Sequence, residues 1–200
     1  MSNNNQEEQK YLYLTDIIYT CTHHSMYISD GIEQTREMDQ MIAALRVSGG
    51  DDILEVRLNS GGGDVSIGQK IIAVMQEIFP ERTITVMDAE ASSMAAMIFL
   101  AGDKRVVYEH SLCMLHNYSM GMFGKGGEVG DRYAATNDSM IAYLKQAIDP
   151  YVKKKEFKRI LDGKDLYLDA YQMCRRGVAT DIIVKGVEMK AEEYIKNVKD

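Results

Sequence analysis

The sequence predicts an α/β fold, and three stretches carry that prediction. Ile53 to Leu58 alternates, with Leu54, Val56 and Leu58 apolar and Glu55 and Arg57 charged, as a half-buried strand does. Upstream, Met38, Met41, Ile42 and Leu45 recur at helical spacing, and Ser48-Gly49-Gly50-Asp51-Asp52 breaks that pattern before the strand begins. Downstream, Ile67, Ile71, Ile72, Met75 and Ile78 fall on one face of a second helix that ends at Phe79-Pro80. A helix-to-strand-to-helix crossover follows from these three together.

The remaining elements fall into place in chain order. Met1 to Lys10 is a polar tail; Tyr11 to Tyr19 and Met26 to Ile28 read as short strands, closed by the turn signal Asp30-Gly31. Thr83 to Met87 is a strand. The helix that starts near Ser93 is apolar almost all round until Ala101-Gly102, so it is buried rather than surface-lying. Val106 to Tyr108 and Leu112 to His116 are strands that complete repeated strand-strand-helix (ββα) units. Asn117 to Gly130 is glycine-rich, and a long helix follows from Tyr133 through Ile148, ended by Pro150. After a lysine-rich helical piece to Leu161 come the turn Asp162-Gly163-Lys164-Asp165 and a strand from Leu166 to Leu168. The helix after it has Asp169 and Gln172 in capping-box spacing and Gly177 as its stop. No solenoid repeat interrupts this order, and residues 11–200 read as one domain.

Composition narrows the function. At 200 residues and 46% hydrophobic, the chain buries a full core. A net charge of -7 with scattered cations argues against a nucleic-acid partner. Cys21, Cys113 and Cys174 are odd in number and widely spaced, which suggests neither a disulfide framework nor a zinc cluster and fits a reducing compartment. The tail lacks the basic-then-apolar order of a signal peptide and no stretch is long enough to span a bilayer, so a soluble cytoplasmic protein is expected, with no metal and no cofactor. Fourteen methionines read as deformable core filler.

Acyl transfer needs a nucleophile, a base that takes and returns its proton, a group that orients the base, and donors for the oxyanion. A serine opening an apolar helix presents its hydroxyl and the next backbone N–H together at the positive end of the helix dipole, so Ser93 or its neighbour Ser92 fits the nucleophile and Met94 N–H an oxyanion donor. Gly61 to Gly63, after a buried strand, permits close backbone approach and offers a second donor, assigned to Gly62 N–H. His116 ends an apolar strand and is the candidate base, with His110, His23 and His24 as competitors. Asp165 and Asp162 both fit the orienting carboxylate.

These segments resemble the proteolytic subunit of the Clp protease, a family of self-compartmentalised serine peptidases with the crotonase-like fold. Leu58-Asn59-Ser60-Gly61-Gly62-Gly63-Asp64-Val65 is similar to the family's Asn-Ser-Pro-Gly-Gly segment, with Gly61 in the proline's place. Ala91-Ser92-Ser93-Met94-Ala95-Ala96 is similar to its nucleophile segment Ala-Ala-Ser-Met-Gly-Ala, with Ala95 for glycine. Met114-Leu115-His116-Asn117 is similar to Met-Ile-His-Gln, Asp165 to Ala170 to the segment supplying the aspartate, and Gly177 to Asp181 to the ending Tyr-Gly-Leu-Ile-Asp. The resemblance implies Ser93 as nucleophile over Ser92, His116 as general base, Asp165 over Asp162 as its orienting partner, and Gly62 with Met94 as oxyanion donors.

It further implies that residues 121–161 form a helical handle through which homo-oligomeric rings stack around a chamber. Unfolded polypeptide would lie extended beside Gly62, Gly63 and Val65 and beside Ser119 and Met120, pairing as an added strand. An ATP-driven (AAA+) unfoldase is the partner the resemblance suggests. Two other readings compete: a crotonase-type acyl-CoA enzyme, which shares paired backbone oxyanion donors, and a weak or inactive structural subunit.

Overall fold

The computed structural model describes residues 21–198. The tail over 1–10 and the strand expected over Tyr11 to Tyr19 lie outside the described residues. The elements run β1 (His23–Ile28), α1 (Arg36–Leu45), β2 (Ile53–Ser60), α2 (Val65–Ile78), β3 (Thr83–Ser92), α3 (Met94–Leu100), β4 (Lys104–Tyr108) and β5 (Leu112–Leu115). Then follow α4 (Gly126–Ile148), α5 (Lys154–Leu161), β6 (Leu166–Asp169), α6 (Ala170–Arg175), β7 (Asp181–Val184), β8 (Val187–Lys190) and α7 (Ala191–Val198).

The sheet has eight strands, ordered β1-β2-β3-β4-β7-β8, with β5 and β6 branching from β3. β1 to β4 and β7 are parallel, and β8 closes the edge antiparallel to β7. The branch positions the site. Over Ile84 to Met87, β3 pairs with β4; over Glu90 to Ser92 it pairs instead with β5. Where a strand changes neighbours the sheet divides, and a crevice opens at the carboxyl ends of the strands. Ser93 is the next residue.

Local chemistry explains the helices that flank this crevice. Asp64 caps α2 by accepting from Ser66 N and Ile67 N, and Ile67, Ile71 and Met75 are buried along its inner face. All seven residues of α3 are buried, as the apolar run predicts. Asp169 and Gln172 form the anticipated box: Gln172 N donates to Asp169 Oδ1 and Asp169 N to Gln172 Oε1. Gly177 follows α6 with φ +72°.

Three expectations change. The strand begun at Thr83 runs on to Ser92 and delivers the chain directly to Ser93, so α3 begins at Met94. The long helix starts at Gly126, not near Tyr133, because Val129 N already donates to Lys125 O and the backbone ladder outweighs the low helix propensity of Gly126, Gly127 and Gly130. β7, β8 and α7 were not anticipated. The hairpin between β7 and β8 turns through Lys185 and Gly186, both at positive φ.

Candidate active site

Ser93 sits at the junction of sheet and helix. Its backbone N–H donates to Met114 O of β5 at 2.9 Å, and its carbonyl accepts from Met97 N of α3 at 3.3 Å. Both bonds hold the residue at φ +56°, a left-handed conformation that costs a non-glycine residue about 1–3 kcal/mol. The Ser93 side chain makes no helix-capping bond, so its hydroxyl is free for another partner.

That partner is His116, one residue beyond β5, whose Nε2 lies 2.7 Å from Ser93 Oγ. The geometry follows from register: Ser92 pairs with Met114 across β3 and β5, so the residues just past each partner emerge at the same end of the ladder. The structure also separates the two adjacent serines. Ser92 is buried and donates its hydroxyl to Glu90 Oε1 at 2.6 Å, away from the imidazole.

The other histidines are elsewhere. His23 and His24 begin β1, at the opposite ends of the parallel strands; His24 Nε2 lies 3.0 Å from Asp52 Oδ2, and that bond, with Thr22 N and Gly49 N, holds the Asp52 carboxyl down at about 2. His110 lies in the exposed turn between β4 and β5. Cys113, in β5, is buried, and burial pushes its thiol up to about 12, which removes it as a competing nucleophile.

The glycine turn lies under Ser93. Gly62 has φ +98°, and a Cβ there would come 2.6 Å from Ser93 Cβ and 3.0 Å from Met94 N. Glycine is therefore required for this approach. Gly62 N–H donates to Ser60 Oγ at 3.1 Å, and Ser60 Oγ–H donates in turn to Asp30 O at 2.6 Å. Gly63, bridged to Ile32, leaves its partner's bonds to Gly62 O and Asp64 N, and its own N–H makes no hydrogen bond among the described residues. Met94 N, first in α3, has no intrahelical acceptor.

These groups border one cavity of about 280 Å³, reached by Gly61, Gly63, Val65, Ser93, Met94, His116, Tyr118 and Ser119. Met97, Met114, Met140, Tyr143 and Leu144 form its apolar wall. Gly62 and Met120 are not on that lining. Methionines give such a wall adaptable shape. Tyr143 has a buried hydroxyl with no hydrogen-bond partner among the described residues, and burial pushes it up to about 12.

Asp165 stands apart in this structure. It is exposed beside Lys164 and Leu166 and makes no hydrogen bond to His116 among the described residues. The last β5–β6 pair is Leu115 with Leu166; continuing that register one step would set Asp165 opposite His116, but the ladder ends there and Asp165 borders a separate hollow with Glu156, Arg159 and Lys164. Asp162 ends α5 as its C-cap, three residues further from that ladder.

Among the described residues no group of three or more His, Cys, Asp and Glu is placed to hold a metal ion, and no helix is long and apolar enough to cross a membrane. A serine hydroxyl in contact with an imidazole, two unpaired backbone N–H groups and an apolar pocket form an arrangement suited to acyl transfer.

Comparison with known proteins agrees with this architecture. The family model described as Clp protease matches residues 7–186. The chain is 28% identical over 114 residues to proteins named ATP-dependent Clp protease proteolytic subunit from Sorghum bicolor, Saccharum officinarum and a Saccharum hybrid. Each match covers 55% of this chain and 51% of the relative, so the chain spans about half the length of the curated relatives it matches. The mixed α/β sheet with its dividing third strand and the match over most of the sequence lead to one conclusion: the chain belongs to the Clp protease family.

Proposed function

We propose that the chain is a serine endopeptidase that hydrolyses unfolded polypeptides by an acyl-enzyme route. The observation that carries this reading is the 2.7 Å approach of Ser93 Oγ to His116 Nε2 on the wall of the cavity. Ser93 Oγ attacks the peptide carbonyl carbon while His116 Nε2 takes the hydroxyl proton. The carbonyl oxygen becomes an oxyanion held by Met94 N–H and a second backbone donor.

Gly63 is the better second donor. The Gly62 N–H, assigned that role by sequence, is engaged by Ser60 Oγ, whereas the Gly63 N–H is unpaired and Gly63 lines the cavity. Gly62 keeps a different duty, leaving space for Ser93 and Met94. Collapse of the intermediate breaks the C–N bond as His116 returns the proton to the leaving amine. Water, deprotonated by His116, then releases the acid and restores Ser93.

For Nε2 to accept, the proton of a neutral imidazole must sit on Nδ1, and Asp165 is the acceptor for it. Asp165, exposed in the structure, would have to close on His116 to fill that role, and the handle, residues 121–161, would join subunits into homo-oligomeric rings. Peptide pairs with the backbone at Gly63 to Val65 and at Ser119 to Met120. An ATP-driven unfoldase would feed the chamber, in keeping with the name of the relatives.

A fluorophosphonate probe and a peptide-cleavage assay test the reading together. Labelling of Ser93 with peptide cleavage, both abolished by Ser93→Ala, supports it; an assembled protein that neither labels nor cleaves refutes it. The exposed position of Asp165 favours one second reading, a structural subunit that is idle until a partner completes it. Activity that appears only on mixing with another Clp-type subunit would select that reading.

A further inference from the structure

Among the described residues, one side-chain hydrogen bond ties the segment leaving His116 to the rest of the molecule. From Asn117 to Gly124 no residue takes part in a backbone-to-backbone hydrogen bond among the described residues. Asn117 Oδ1 accepts from Tyr118 N at 3.0 Å, which is local to the turn. The tie to the rest of the molecule is the Tyr118 hydroxyl, which donates to Asn137 Oδ1 of α4 at 2.7 Å across 19 residues of sequence. Tyr118 and Ser119 also border the cavity that holds Ser93 and His116.

The geometry points to Tyr118 as a positioning residue that, through its bond to Asn137, fixes the Ser119–Met120 edge of the peptide groove against α4. This rests on the peptidase reading. One edge of the groove is rigid: Gly63 and Asp64 are tied to Ile32 by the backbone bonds Ile32 N to Gly62 O and Asp64 N to Ile32 O. The facing edge has unpaired backbone and no lattice of its own. Its distance from the rigid edge decides whether an extended peptide can pair with both, and the Tyr118–Asn137 bond sets that distance. The bond persists across working pH, since burial of the phenol, with Tyr133 and Asp138 close by, raises its ionisation above the ordinary tyrosine range.

The role predicts a separation of binding from chemistry. Tyr118→Phe and Asn137→Ala each raise KM for an extended peptide of six or more residues by about 3- to 10-fold, the worth of one hydrogen bond, with kcat unchanged. In Asn137→Ala, whose altered residue is off the cavity lining, a short acyl ester that has no peptide strand to pair reacts as in the unaltered enzyme. Asn137→Asp, which keeps an acceptor oxygen, restores KM, and the double variant Tyr118→Phe with Asn137→Ala is no worse than either single one. Asn137→Ala breaks the bond from the other side, so misfolding of one variant does not obscure the result. An unchanged KM in a cleaving enzyme, or an equal loss on the short ester in Asn137→Ala, overturns the role alone; failure of the unaltered protein to cleave or label overturns the peptidase reading and the role with it.

Discussion

His116 bonds Ser93 through Nε2 at 2.7 Å and, among the described residues, makes no hydrogen bond to Asp165, which lies past the Leu115–Leu166 end of the β5–β6 ladder. Ser93 and His116 are in contact, while Asp165, the carboxylate proposed to orient the imidazole, is not engaged with it. Asp165→Asn is therefore expected to leave the fold intact, because the side chain is exposed and unpaired in this structure. Peptide turnover by the assembled protein falls on the order of 10³- to 10⁴-fold, as loss of the orienting carboxylate does in serine peptidases. Equal thermal stability with kcat measured in parallel checks this; turnover unaffected by the substitution removes Asp165 from the mechanism.

The neighbouring glycines respond in opposite ways. Gly62→Ala places a Cβ 2.6 Å from Ser93 Cβ and 2.7 Å from Ser92 O, at a backbone φ of +98°. Loss of probe labelling and a stability cost of about 3 kcal/mol or more are expected. A Cβ on Gly61 meets nothing within 4 Å, and its φ is outside the left-handed range. Gly61→Ala should raise stability by about 0.4–1 kcal/mol through the unfolded state. Denaturant unfolding of both variants makes the comparison.

Among the described residues, the buried hydroxyl of Tyr143 has no hydrogen-bond partner. Replacing it with phenylalanine removes an unsatisfied group while keeping the ring against the apolar wall. The expected gain is about 1 kcal/mol, which in a chain of this length raises Tm by about 2–4 °C. Calorimetry on Tyr143→Phe decides it, and a fall in Tm would mean that the hydroxyl has a partner.

Acid stability depends on two carboxylates that are not on the lining of the Ser93–His116 cavity. Asp52 is held at about 2 by its bond to His24 and by Thr22 N and Gly49 N; Glu156 is held at about 2 by the Arg176 guanidinium, which it meets with both oxygens. Both folded values lie below the ordinary carboxylate values of 3.8 and 4.5, so the folded state binds fewer protons than the unfolded chain in that window. Their stabilisation is complete above about pH 5 and drains away as pH falls toward 2. Asp52→Asn and Glu156→Gln should each lower the denaturant midpoint at pH 7 and flatten its acid decline. A variant whose acid limb matches the original would exclude that carboxylate.

Much of the fold and of the dyad could be read from residue patterns, and particular residues show why the rest could not. Periodicity places β2, α2 and α3, since each buries one face or all of itself, and the apolar run before His116 places β5. The start of α4 was hidden because Gly126, Gly127 and Gly130 read as loop. Gly62 and Gly63 are indistinguishable as letters. Which N–H faces the cavity depends on dihedral angles and on Ser60 Oγ, a contact that no spacing rule encodes. The choice between Ser92 and Ser93 needed the family resemblance, and the Glu90 bond to Ser92 now supplies a physical reason. Val184-Lys185-Gly186-Val187 did hold a readable signal, two apolar residues around a two-residue turn, for the β7–β8 hairpin.

The 23 residues of α4 make a rod about 34 Å long. Its two buried residues are Leu144 and Ile148, near one end. With a fulcrum at Leu144, Asn137 is seven residues away and Gly126 eighteen, about 10 Å and 27 Å along the axis. A push of about 3 Å at the tip reaches Asn137 as roughly 1 Å, scaled down by that ratio of arms. Leverage of this kind would scale a coarse displacement at the helix tip down to a fine one at Asn137, the residue bonded to Tyr118 on the edge of the cavity.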